Sequence, residues 1–131
     1  MKKYIFFIIA LFFICCTKTS EPDIFPMDVV VRIVTPSPDS LIFSGQYGNS
    51  NTSIDVDGIL YPDEYQDYNT VIENKNDEVF ANFKKEQAPG TLIVKIGIIT
   101  IDAYGREEWE TKKEASTSAS YGSVYVSWKP D

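Results

Sequence analysis

The stretch LIVKIGIITIDAYGREEWETKK, residues 92–113, decides the fold class. Leu92, Val94, Ile96 and Ile98 alternate with Ile93, Lys95, Gly97 and Ile99. Alternation with a period of two is the mark of a strand, and β-branched residues pack well on a pleated surface. Lys95 is the one charge on a second face that is otherwise apolar, so this strand belongs in the middle of a sheet, partly covered on both sides. Asp102 to Gly105 then supplies a tight turn that pairs residues 94–101 with 106–113, where Trp109 and Thr111 share a face.

Working outward, the same pattern recurs. Residues 28–35, DVVVRIVT, place Val29, Val31 and Ile33 on one face and Val30, Arg32 and Val34 on the other. Residues 41–47 point Leu41, Phe43 and Tyr47 inward, with Gly45 a candidate bulge. Residues 52–56 point Ile54 and Val56 inward and close at Asp57-Gly58. Residues 78–83 set Val79, Ala81 and Phe83 opposite Phe80, and residues 124–128 set Val124, Val126 and Trp128 together. Residues 59–73, ILYPDEYQDYNTVIE, read less clearly: Tyr68, Thr70 and Ile72 alternate as in a strand, while Tyr65 and Tyr68 also suit one helical turn. No segment offers a three-turn helix. The expected class is all-β: a single immunoglobulin-like β-sandwich of seven or eight strands, with a small β-barrel as the alternative.

The N-terminal segment reads as an address. Met-Lys-Lys precedes an unbroken apolar run over positions 4–14, and then Cys15-Cys16. A basic start and a short apolar run make a secretory signal, and the run is too short to span a bilayer, which takes about 17–25 residues. The segment Phe13-Ile14-Cys15-Cys16 resembles a bacterial lipoprotein box, which implies cleavage before Cys16 and lipid attachment to its thiol. Stable anchoring takes more than one acyl chain. The expected organisation is a signal peptide over 1–15, a lipidated tether over 16–27 and the sandwich over 28–131.

Composition removes whole classes of chemistry. The chain has 131 residues, 12 Lys+Arg against 19 Asp+Glu and no histidine. Catalytic sets built on histidine are excluded, and so is any zinc site that uses it. The acidic balance argues against nucleic acid as a partner. Two adjacent cysteines do not staple a domain. Asp55, Asp57, Asp63, Glu64 and Asp67 cluster, but glycine directly after the second aspartate of DVDG breaks the EF-hand spacing. Glu107, Glu108 and Glu110 carry the carboxylates a glycosidase pair would need, yet they fit a solvated strand edge more simply. No catalytic residue, metal or cofactor is therefore expected. Tyrosine and tryptophan combine contact area with a polar handle. Tyr61, Tyr65 and Tyr68, beside the acidic cluster, form the candidate recognition surface.

Residues 90–128, GTLIVKIGIITIDAYGREEWETKKEASTSASYGSVYVSW, resemble the extracytoplasmic domain of mycobacterial MmpS-type membrane proteins and their relatives. The shared outline is a strand, a turn ending in glycine at Gly105, a second strand, Ser/Thr-rich sequence, the pair Tyr121-Gly122 and a final strand. The resemblance implies a small immunoglobulin-like sandwich acting as an accessory partner of large lipid-exporting transporters. Anchor and domain together predict a non-catalytic lipoprotein of the bacterial cell envelope, facing the periplasm or the cell surface. It would bind or assist another envelope protein. A glycan- or small-ligand-binding module, or a secreted enzyme or inhibitor, are the alternative readings.

Overall fold

A computed structural model describes residues 24–36, 38 and 40–131. The expected signal segment, Cys16 and the tether as far as Asp23 lie outside the described residues. Eight strands follow one another: β1 (Met27–Val34), β2 (Leu41–Gly48), β3 (Ser53–Leu60), β4 (Tyr65–Ile72), β5 (Val79–Lys85), β6 (Leu92–Ile101), β7 (Glu107–Thr117) and β8 (Ser123–Trp128). They form two antiparallel four-stranded sheets, in the orders β4-β1-β6-β7 and β3-β2-β5-β8. The chain is an immunoglobulin-like β-sandwich.

The core lies between the sheets and follows the alternation of each strand. Val29, Val31 and Ile33 of β1 and Leu92, Val94 and Ile96 of β6 meet Leu41, Phe43 and Tyr47 of β2, Ala81 and Phe83 of β5, and Val124 and Val126 of β8. Apolar side chains at every second position are removed from water together, which is the main force closing the sandwich. Phe43 and Phe83 meet edge to face, their ring centroids 5.9 Å apart. The central placement of β6 agrees with its two apolar faces, and it pairs with both β1 and β7.

Three expectations are corrected. The third strand does not close at Asp57-Gly58 but runs on to Leu60, because a Cβ at position 58 would lie 2.9 Å from the Phe43 ring and glycine there lets the ring sit over the strand. Gly45 is no bulge: its register with β3 and β5 is unbroken, and its hydrogen side chain is needed because a Cβ would lie 2.1 Å from the Asn82 carbonyl oxygen. The bulge lies in the hairpin of β6 and β7, where Gly97 pairs with Thr111 but Ile96 pairs with Lys113, leaving Lys112 extra. The pairing also starts one residue later than expected, at Ile101↔Glu107, so with the bulge residue 94 faces Ala115 rather than residue 113. Ile54 points inward, as its parity requires, yet is 45% exposed, because β3 overhangs the opposite sheet.

The unclear segment becomes a strand, β4, paired with β1 along all of its length from Met27↔Ile72 to Val34↔Tyr65. The helical turn for Tyr65 and Tyr68 is not formed. Two knots pin the loops at either end of the sandwich. The Asp77 carboxylate is buried and accepts backbone N–H bonds from Ser50, Glu73 and Glu78 at 2.9–3.0 Å. Lys85, wholly buried, donates from Nζ to the carbonyls of Ala88 and Ala119, both at 2.9 Å, and of Ser118 at 3.4 Å.

Candidate recognition surface

Side chains alternate across a sheet, so each strand of the β4-β1-β6-β7 sheet that feeds the core also builds an outer face. One row of that face crosses all four strands in the order Asp67, Arg32, Lys95, Glu114. Arg32 bonds Asp67 twice, from Nε at 2.8 Å and from Nη2 at 2.9 Å, and Lys95 meets Glu114 at 3.5 Å. The two positive charges in the middle of the row are each answered from an outer strand.

Two rings enclose the arginine. Its Cζ lies 4.1 Å from the centroid of Tyr65 and 4.0 Å from that of Trp109. A planar guanidinium suits this arrangement, since its faces meet aromatic rings while its edge forks onto a carboxylate. The hydrogen bonds to Asp67 raise the Arg32 pKa against the opposing effect of burial, so the charge is fixed. Trp109 reaches the arginine because position 97 has no side chain: a Cβ there would lie 2.5 Å from Cζ2 of the indole. The indole Nε1 donates to Thr111 Oγ1 at 2.7 Å, on the same face of β7. Beside the stack lies a groove of about 540 Å³ whose lining includes Val30, Val71 and Ile99 together with Asp28 and Glu107.

The structure divides the three tyrosines singled out in the sequence. Tyr61 lies in the turn between β3 and β4 and is exposed. Tyr65, at the start of β4, is exposed on the outer face beside Arg32. Tyr68 is on the opposite side of the same strand, stacked on Tyr47 with centroids 5.1 Å apart and on Phe83 at 6.3 Å. Burial pushes its phenol pKa up. Tyr68 therefore belongs to the core and Tyr65 to the surface, as their odd separation in a strand demands. The residues that join Tyr65 in the stack, Arg32 and Trp109, come from strands remote in the chain. Only the pairing of β1 with β4 and β6, and of β6 with β7, could reveal them.

The acidic cluster is also dispersed. Asp67 is held by Arg32, Asp55 and Asp57 lie on β3 in the other sheet, and Asp63 sits in a turn at φ 63°. Among the described residues no group of three or more Cys, Asp or Glu is placed to hold a metal ion. Glu107, Glu108 and Glu110 are exposed on β7, with Glu110 paired to Lys112 at 2.6 Å. No protein-family model, curated protein sequence or solved structure matches the chain. What the structure shows of its class is the architecture: a small all-β domain of immunoglobulin-like sandwich type.

Proposed function

We propose that this protein is a non-catalytic binding or accessory module of the bacterial envelope, tethered through a lipid on Cys16. It meets a partner protein through the outer face of the β4-β1-β6-β7 sheet. The observation that carries the contact reading is the stack of Tyr65, Arg32 and Trp109 on that face. Tryptophan, tyrosine and arginine are the residues in which binding energy concentrates at protein interfaces. Here they are held rigid before any partner arrives, by two hydrogen bonds and two ring contacts. A preformed anchor loses little side-chain entropy on association. The likeness of residues 90–128 to MmpS-type domains supports an accessory role, and the basic-apolar-cysteine order from Met1 to Cys16 supports the anchor. A tether would act by raising the local concentration of the domain beside membrane partners.

Two measurements test this. The intact mass of the protein from the membrane fraction of its host should equal that of the chain from Cys16 plus two or three acyl chains, and Cys16→Ser should release an unacylated, soluble chain. A soluble wild-type product removes the anchor from the proposal. Sizing of the solubilised wild type should give a complex that Trp109→Ser dissolves and Tyr125→Ser, on the other sheet, leaves intact. A wild type that runs as a lone chain sinks the contact reading.

A further inference from the structure

We infer that the edge of β4, together with the overhanging inner face of β3, is a slot for one extended strand of a partner. Two independent features converge on it. The first is an unguarded edge. β7 is an edge strand broken by a bulge and loaded with charge, β8 packs beside it, and β3 carries Asp55, Asp57 and an internal glycine. Charges and bulges of this kind discourage pairing at sheet edges. β4, YQDYNTVI, has no proline, no lysine and no bulge, and Arg32 neutralises its one charge, Asp67. Its alternate peptide groups face away from β1. The carbonyl of Val71 is taken by Asn49 Nδ2 at 2.8 Å and that of Asp67 by Gln66 Nε2 at 3.3 Å. The backbone N–H and C=O of Asn69, between them, have no outward partner among the described residues. From Tyr65 to Asn69 the edge thus meets no other strand, and a ladder there has to displace one exposed side-chain bond, that of Gln66 to the Asp67 carbonyl.

The second feature is an uncovered strip in the opposite sheet. The sheets are offset: β7 lies over β8, β6 over β8 and β5, and β4 over β2 and β5. β3 is one strand further out and has no comparable neighbour across the core. Its inward positions Ile54 and Val56 are accordingly exposed and half-buried, while Leu60, next to the turn into β4, is buried. A strand added beyond β4 would complete the missing fifth place and cover that strip.

The occupant is a strand from a different protein. A second copy cannot use both features, because two-fold pairing through β4 would drive the overhanging β3 of each copy into the other. With cleavage before Cys16 as proposed above, the part of the tether ahead of the described residues, TKTSEPD at 17–23, has no large apolar side chain to set on Ile54 and Val56. Pairing supplies main-chain hydrogen bonds, and alternate side chains supply selectivity. Apolar residues at every second position would face Ile54, Val56 and Tyr68, and the chain's net charge of -7 favours lysine or arginine between them.

This slot adjoins the Tyr65–Arg32–Trp109 face and shares Tyr65 with it, but uses the strand edge rather than the stack and is tested separately. The probe is a blocked heptapeptide of alternating lysine and valine, added to the full acylated chain in detergent. It should bind, and hydrogen exchange should slow at the amides of Asp67 and Asn69. Asn69→Pro removes an outward N–H, a place where edge strands tolerate proline, and Ile54→Lys charges the strip at an exposed position. Each should weaken the peptide about tenfold or more, whereas Trp109→Ser should leave it bound. The same peptide N-methylated at alternate residues should not bind. Failure of the unmodified peptide to bind, or equal binding to both slot variants, overturns the inference. So does self-association of the chain that Asn69→Pro abolishes, which would make the occupant a second copy.

Discussion

Single residues hold this sandwich at points where the apolar core does not reach. Asp77 shows how a buried charge is kept. Burial opposes its ionisation, but backbone N–H groups of Glu73, Ser50 and Glu78 and the Ser50 hydroxyl outweigh burial and hold its pKa below the ordinary aspartate value. A folded pKa below the unfolded one stabilises the fold in full above the unfolded value, near pH 4, and that contribution is lost as pH falls through the folded value. Asp77→Asn should therefore lower stability by about 1–3 kcal/mol at neutral pH, and its urea midpoint should depend less on pH below about 4 than that of the wild type. Lys85 is the converse case, three carbonyls around one buried amino group. Lys85→Met should cost about 3 kcal/mol in urea unfolding, since it strands acceptors rather than apolar surface. Neither role is legible in the sequence, where both residues read as ordinary polar positions at strand ends. Tyr68 escapes a sequence reading for a related reason: a tyrosine suits rim and core alike, and only its parity relative to Tyr65 separates the two.

At the scale of elements, the clean strands announce themselves and the edges do not. β1, β5, β6 and β8 each bury one apolar face, and their alternation survives intact in the structure. β3 and β4 carry polar side chains on their outer faces, and each is covered only in part within, so the hydrophobic signal that defines a strand is weak. Asp57-Gly58 has the composition of a turn, and the reason it is not one lies in Phe43, on the preceding strand and across the ladder. The β6–β7 hairpin illustrates the same limit. Its turn is readable from Asp102 and Gly105, and Asp102 indeed accepts the backbone N–H groups of Tyr104 and Arg106. The extra residue at Lys112 is not readable, because a bulge changes register without changing composition. Gly97→Ala tests how closely the two strands are matched. Its Cβ would meet both the Glu110 carbonyl oxygen and the indole at 2.5 Å. The substitution should cost about 1–3 kcal/mol as overpacking and displace Trp109, which fluorescence of the Trp128→Phe background would register.

For the whole molecule, the class of fold follows from short alternating runs along the chain, but the order of strands within the sheets does not. Only β2–β3 and β6–β7 join neighbours in one sheet; every other connection crosses between the sheets. Such choices are made by packing among residues remote in sequence. Among the described residues the buried apolar cluster runs from Val29 to Val126, with Phe25, Met27 and Trp128 packed against it, so a chain begun at Ile24 should fold as the full one does, with the same near-ultraviolet circular dichroism and a single unfolding transition. Loss of that spectrum would show that the segment ahead of Ile24 shares in the core. The position of β1 has a mechanical consequence. It is the first strand among the described residues and yet an interior one, paired with β4 over residues 27–34 and with β6 over residues 30–34. A pull on the chain ahead of Met27, directed along the strand, loads both ladders in shear, with many bonds sharing the strain, instead of peeling them apart one by one. Were the domain hung from its N-terminus, as proposed, it would resist tension at the very point where tension enters it.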